Sequence, residues 1–338
     1  MIKYFFLILT VISCSSGEKE NKETPKPIVK KEENQKIEKV TPPESKKETS
    51  VPVPTVVKKV QPDKKSGSID SLQTSDATDI PKNADGTVKL DVGYGPTPPY
   101  IVKEIVKMGK ITSTDKVYDL GCGDGRIVIA CAKIGAKGVG IDMDPAWIKK
   151  SREIAAKEKV DHLVKFYNRD IFKTDFSDAT VVVMYLWPSV NLRLRPILFK
   201  TLKPGTRVMS HNHSMKDWDP DEFYKDKKHR IYYWIMPADM SGKWSFNLKS
   251  NEARLEIKQK FQFINGWLHL QGKKLYIKRT KIIGKNVKFK AQGIFNKKFT
   301  EFVFNADVEK KEIRGTVEIT VKKNKESVKF LANRDVSK

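Results

Sequence analysis

Asp119, Asp142 and Asp170, grouped around a glycine-rich bend, are the residues whose type and spacing offer chemistry. Asp119 lies in the apolar run Val117-Tyr118-Asp119-Leu120, which leads into Gly121-Cys122-Gly123-Asp124-Gly125 and then the helix-length stretch IVIACAKIGA. Gly138-Val-Gly-Ile-Asp142 brings a second acid 21 residues after Gly121, and Leu163-Val-Lys-Phe-Tyr-Asn168-Arg-Asp170 brings a third. Glycines at such a bend let a ligand approach the backbone and allow angles that a Cβ forbids, while the helix start offers free N–H groups suited to a carboxylate or phosphate. An acid ending the next strand is placed to accept hydrogen bonds from both hydroxyls of a ribose.

The elements that must position these residues read as strand, glycine turn, helix, strand, helix, strand, and so predict a parallel α/β sheet. Pro145 to Lys159 reads as a helix, Thr180 to Leu186 (TVVVMYL) as a buried fourth strand, and Leu202 to Ser210 as a turn and fifth strand. The spacing G-x-G-x-G, with an acid two positions before its first glycine, resembles motif I of class I S-adenosylmethionine-dependent methyltransferases more than the G-x-G-x-x-G of dinucleotide-binding domains. The segments DVGYGPTPPYIV, YLWPSVNLRLRPIL and LKPGTRVMSHNHSMKDW resemble a bacterial group of these enzymes and the mitochondrial protein-lysine methyltransferases of inner-membrane proteins. The resemblance covers under half the chain.

That resemblance implies a doubly wound, Rossmann-like seven-stranded methyltransferase sheet with S-adenosyl-L-methionine as cofactor. It places the donor against Asp119, Gly121, Gly123 and Gly125, the ribose on Asp142, and the adenine amino group on Asp170, with Met143 and Ile171 beside those acids in the same site. It also implies that Tyr94 to Pro99 closes over the donor, so that Tyr94 and Thr97 join the set. Tyr185, Leu186, Trp187 and Pro188 stand where class I enzymes meet their acceptor. An ammonium acceptor must lose its proton before attack, and an aromatic mouth favours the neutral form. Tyr185 and Trp187 could equally be plain packing. His211, and less so His213, could accept a proton, giving Tyr185 and His211 as catalytic candidates, whereas Asp217 and Trp218 read as cap and packing for the turn. The two histidines have no third partner for a metal, and Cys14, Cys122 and Cys131 suit neither a disulfide framework nor zinc, so no metal is expected. Cys122 and Cys131 read as small packing residues. The Asn/Asp-Pro-Pro-Tyr/Phe motif of amino-methylating nucleic-acid enzymes is missing from the sequence, which favours a protein lysine over nucleic acid.

The chain has 338 residues and a formal charge of +24, from 65 Lys and Arg against 41 Asp and Glu. Its first residues, MIKYFFLILTVISCSS, hold an apolar run too short to span a bilayer but suited to a signal peptide, and Val11-Ile12-Ser13-Cys14 resembles a bacterial lipobox in which lipid joins the Cys14 thiol. Residues 15–86 are rich in Lys, Glu, Pro, Ser and Thr and read as a disordered tether. The methyltransferase domain is expected over 87–238. From Trp244 the period changes to alternation, as in ARLEIKQKFQFI, GWLHLQG and NVKFKAQGIF, and predicts about eight short antiparallel strands, a lipocalin-like barrel or sandwich over 239–338. Between Ser241 and Lys338 there are 24 basic and 9 acidic residues, a surface for anionic partners or the solvent face of a Lys-rich β domain.

The leading expectation is a membrane-anchored lipoprotein of the bacterial cell envelope that methylates a protein side chain, most simply lysine. Export conflicts with the cytosolic origin of the donor. The alternatives are an exported lipoprotein using its basic β domain for binding or adhesion, and a small-molecule or lipid methyltransferase.

Overall fold

The structure, a computed structural model, describes residues 80–335 apart from Val92. The expected signal peptide, Cys14 and most of the expected tether lie outside the described residues. Within the last part of that expected tether the chain already holds a turn: Lys82 bridges Val88, Asp85 Oδ1 accepts from the Thr87 N–H at 2.9 Å, and Ile80 is buried. An aspartate bonding the backbone two residues on fixes a turn locally, whatever the flanking composition.

Helix α1 (Pro99–Met108) precedes β1 (Lys116–Leu120), α2 (Arg126–Ala132), β2 (Lys137–Asp142), α3 (Pro145–Lys157), β3 (Val164–Asn168), β4 (Val181–Met184), α4 (Pro188–Thr201), β5 (Arg207–His211), β6 (Glu222–Lys225) and β7 (Arg230–Ile235). The strands form one sheet in the order β3-β2-β1-β4-β5-β7-β6. The first five are parallel, and β7 runs antiparallel between β5 and β6. β1 is central, with Asp119 beside Gly140 of β2 and Val183 of β4. Side chains alternate across the sheet, so Val117, Val181 and Val183 pack with Ile101, Ile105 and Val128 on one face, while Tyr118, Leu120, Val182 and Met184 pack with Leu194 and Leu198 of α4 on the other. Burial on both faces explains the continuous apolar reading of β4. The chain leaves β1 toward β2 on one side and returns as β4 on the other, which opens a crevice at their carboxyl ends.

The remaining strands are β8 (Gly242–Leu248), β9 (Asn251–Lys260), β10 (Phe263–Leu270), β11 (Lys273–Ile283), β12 (Asn286–Phe295), β13 (Lys298–Val308), β14 (Glu312–Val321) and β15 (Asn324–Arg334). Each pairs antiparallel with the next, and β15 returns to β8 through Asn333 beside Ser245 and Arg334 beside Trp244, closing a barrel rather than a sandwich. Inward residues fill it: the Phe304 ring stacks on Phe289 at 4.6 Å and meets Phe330 edge-on at 5.2 Å. At Gly266 a Cβ would lie 2.0 Å from the Glu256 carbonyl oxygen, so this position admits only glycine at the present strand spacing.

One end of the barrel packs on the methyltransferase sheet, and both parts belong to one compact unit of the chain. Gln262 Nε2 donates to the Asp219 carbonyl at 2.7 Å, Ala238 N donates to the Gly284 carbonyl at 2.7 Å, and Phe261 lies against Trp218 and Phe199. Among the described residues no helix is long and apolar enough to cross a membrane.

Candidate active site

The bend after β1 is built by glycine. Gly121 (φ +81°) and Gly123 (φ +52°) take left-handed angles, and a Cβ on Gly123 would meet the Tyr94 ring at 2.5 Å. Both conditions exclude larger residues. The bend is tied to β2: the N–H groups of Gly121 and Cys122 donate to the Ile141 carbonyl, and Gly123 N donates to Asp142 Oδ2 at 2.8 Å. Asp142 Oδ1 accepts from Asp144 N at 3.0 Å. Each carboxylate oxygen of Asp142 therefore keeps one lone pair for a ligand hydroxyl. Asn168 donates to the carbonyls of Asp142 and Met143 at 3.0 and 2.7 Å and fixes the end of β2.

The crevice holds about 850 Å³ of empty space counted out through its open mouth. Tyr94, Thr97, Asp119, Gly121, Gly123, Asp142, Met143, Ile171 and Tyr185 all line it. Asp119 is 2% exposed, and among the described residues its carboxyl has neither a hydrogen bond nor an ion pair. Burial, reinforced by Asp142 and then Asp124, pushes that carboxyl well above the usual carboxylate range. Burial also raises Asp142. Asp119, Asp142 and Asp144 line the cavity with no cationic partner among the described residues, whereas Arg126 is held by Asp124. Such a wall rejects a pyrophosphate and suits a ligand with net positive charge. Adenosyl sulfonium fits it: the carboxylates suit the sulfonium and ammonium charges, and Asp142 suits the ribose. A glycine bend free of Cβ atoms lets the chain lie close.

The segment before α1 forms a strap across this cavity. Tyr94 stacks on Trp147 with ring centroids 3.8 Å apart, and Arg126 reaches both the Tyr94 hydroxyl at 3.2 Å and the Thr97 carbonyl at 2.9 Å. Sequence reasoning missed Trp147 and Arg126. The arginine one residue past the last glycine was the available signal for a latch.

Three of the expected site residues stand outside the cavity wall. Asp170 is not in the cavity wall: its Oδ1 accepts from Phe172 N at 2.9 Å and caps the turn after β3, leaving Ile171 to face inward. Gly125 is also outside the wall and serves packing, since a Cβ there would lie 2.6 Å from Phe166. His211 is fully buried behind Tyr185, whose ring centroid is 4.0 Å away, so it does not meet an acceptor directly. It sits between Thr97 Oγ1 at 3.1 Å and His229 Nδ1 at 2.9 Å. Burial first, then His229 and His213, push its pKa down to about 4, so it is neutral near pH 7.

Of the four residues expected on the acceptor side, Tyr185 and Leu186 line the cavity. Asn212, held left-handed at φ +63°, donates to the Tyr185 hydroxyl at 3.2 Å, and the His213 ring lies 6.0 Å from the Tyr185 centroid. Trp187 is 59% exposed at the start of α4, and Pro188 opens that helix; neither lines the cavity. Trp218 packs the joint to the barrel, and Asp217 pairs with Arg195 and Lys260.

The family model described as the ANTKMT methyltransferase domain matches residues 119–222. A protein-lysine N-methyltransferase of Saccharolobus islandicus (strain REY15A) is 38% identical over 151 residues, covering 43% of this chain and 94% of that protein. The adenine nucleotide translocase lysine N-methyltransferase of Mus musculus is 30% identical over 128 residues, covering 38% of this chain and 55% of that protein. Among solved structures, an RNA methyltransferase from Salinibacter ruber in complex with S-adenosyl-L-homocysteine is 46% identical, with a TM-score of 0.43, covering 43% of this chain and 96% of that one. With the cavity, its unpaired acids and a relative matched over nearly its whole length, the chain belongs to the S-adenosylmethionine-dependent methyltransferases of the ANTKMT-domain family.

Proposed function

We propose that this enzyme methylates the side-chain amine of a lysine in a protein substrate, and that Cys14 anchors it by lipid in the bacterial envelope. The observation that carries the substrate reading is the similarity to the Saccharolobus protein-lysine N-methyltransferase across 94% of that protein. The acceptor side of the cavity supports it, because Tyr185 and the buried Leu186 line it and a desolvated wall favours the neutral amine over the ammonium.

When bound, the donor supplies an electrophilic methyl group on a positively charged sulfur, and in-line attack leaves that sulfur neutral. The chain's own part is positioning. Asp119 and Asp142 hold the donor's cationic and ribose ends. The Tyr185 hydroxyl, oriented by Asn212, accepts one N–H of the incoming amine and so aims its lone pair into the cavity. Thr97 and His211 brace Tyr185 from behind.

The test is to incubate the full chain with methyl-labelled donor and membrane and soluble protein fractions from its source, then to map the label by mass spectrometry. Methylated lysine is the expected product; label confined to RNA, lipid or a small molecule overturns the substrate reading. For the anchor, a fatty-acid label should attach to the wild-type chain and not to Cys14→Ala, and equal labelling of both overturns it.

A further inference from the structure

We infer that the free rim of the barrel is a docking surface for an anionic lipid bilayer. In an up-and-down barrel successive hairpin turns fall at alternate ends. The turns at Phe261-Gln262 and Gly284-Lys285 lie at the end that meets the methyltransferase sheet, through Asp219 and Ala238. The β8–β9, β10–β11, β12–β13 and β14–β15 turns therefore share the opposite, free end.

Every one of those turns carries exposed lysine: Lys249 in the first, Lys273 and Lys274 in the second, Lys297 and Lys298 in the third, and Lys322 and Lys323 in the fourth. Lys249 is neutralised by Glu326 at 2.5 Å, and Lys274 lies 4.7 Å over the Trp267 ring. Among the described residues, Lys273, Lys297, Lys298, Lys322 and Lys323 have no carboxylate partner. The nearby acids Glu301 and Glu318 are already paired, with Lys290 and Lys325, while Glu252 beside the first turn has no ion pair. Unpaired cations from different turns thus converge on one rim.

Apolar side chains stand among them. Ile294 is 64% exposed and Phe299 58% exposed, and they are register partners on the outer wall beside the β12–β13 turn. Further back on the same outer wall, Trp267 meets Tyr276 edge-on at 5.1 Å, and Tyr276 is register partner to Gln292, two residues before Ile294. Lysines at the tip, apolar side chains between them and an amphipathic aromatic pair behind match the layering of headgroup phosphates, upper acyl chains and interface. Exposed Ile294 and Phe299 have no use against a nucleic acid, where rings stack in a groove. A second copy of this rim would bring like charges together.

The experiment uses the full chain with Cys14→Ala, so that lipid attachment does not contribute, and co-sedimentation with vesicles of phosphatidylcholine alone or with about one third phosphatidylglycerol. The readout is the excess binding to anionic vesicles, compared between variants so that the contribution of the shared N-terminal segment cancels. Lys297→Gln with Lys298→Gln should lower that excess about 30-fold, and Ile294→Ser with Phe299→Ser about tenfold, with donor binding by calorimetry unchanged in both as a control for folding. Equal binding to both vesicle types, or an excess unaffected by either pair, overturns the proposal. So does a loss confined to the charge pair together with equally tight, salt-sensitive binding to single-stranded RNA, which assigns the rim to polyanions instead.

Discussion

Buried polar side chains crowd the methyltransferase half of the folded chain, where Thr97, Asp115, Asp119, Asn191, Ser210 and His211 are all below 10% exposure. In the barrel, among the described residues, Gln262 and Thr300 alone are buried polar groups. A buried polar group costs stability unless it is paired, so it persists where chemistry uses the desolvated environment. The barrel keeps its charge outside and its phenylalanines inside, which suits a body that meets surfaces and does no chemistry in its core. One half carries reactivity at the expense of consistency; the other carries consistency and presents charge at its rim.

The largest effect that sharpens this contrast is Phe304→Ala, which removes a fully buried ring stacked on Phe289 and should destabilise the protein by about 3–5 kcal/mol. Donor affinity at a temperature where the protein stays folded should not move; a matching loss of affinity would merge the two halves. The reverse case is Asp119→Asn. Donor affinity should fall about 100-fold, roughly 3 kcal/mol for removing one partner of a desolvated charge pair. Because the Asp119 carboxyl is raised in the fold, its contribution is present at low pH and lost as pH rises, so Asn should also raise the melting temperature near neutrality. Calorimetry and a thermal melt read both, and an unstabilised variant that still binds donor tightly contradicts the site.

Acid sensitivity comes next. The unfolded His211 binds a proton near pH 6.5, while the folded one does so near 4, so stability should fall as pH drops through that window, by up to about 3 kcal/mol. Denaturant melts at several pH values should show this slope, flattened in His211→Asn; an identical slope in the variant moves the effect elsewhere. Smallest is Tyr185→Phe, which leaves Asn212 without its acceptor and should slow turnover about fivefold to tenfold, about 1 kcal/mol, with donor affinity unchanged in a single-turnover and binding comparison.

Much of the donor site was legible because its signals are local. Strand, glycine bend and helix occupy contiguous residues, and Asp142 ends the strand beside them. Asp170 and Gly125 share that local pattern, yet where they point depends on the turn after β3 and on the packing of Phe166. The depth of His211 was not legible, because alternation along β5 does not reveal that Tyr185 stands between it and the cavity. In the barrel, alternation located the strands, but closure rests on two register pairs between β15 and β8, nearly 90 residues apart in sequence. The run ARLEIKQKFQFI also hid a hairpin: its turn contains no glycine or asparagine, and Phe261 takes φ +54° with its ring against Trp218. Long-range aromatic packing there replaces the usual turn chemistry.

The strap holds Tyr94 on Gly123 and Trp147 in the wall of the donor cavity. An arginine clasp on Tyr94 and Thr97 fastens it, and segments placed in this way commonly govern exchange of ligand and product. Loosening that clasp should speed exchange while weakening retention, which makes residence time a property of a segment that touches neither the methyl group nor the amine.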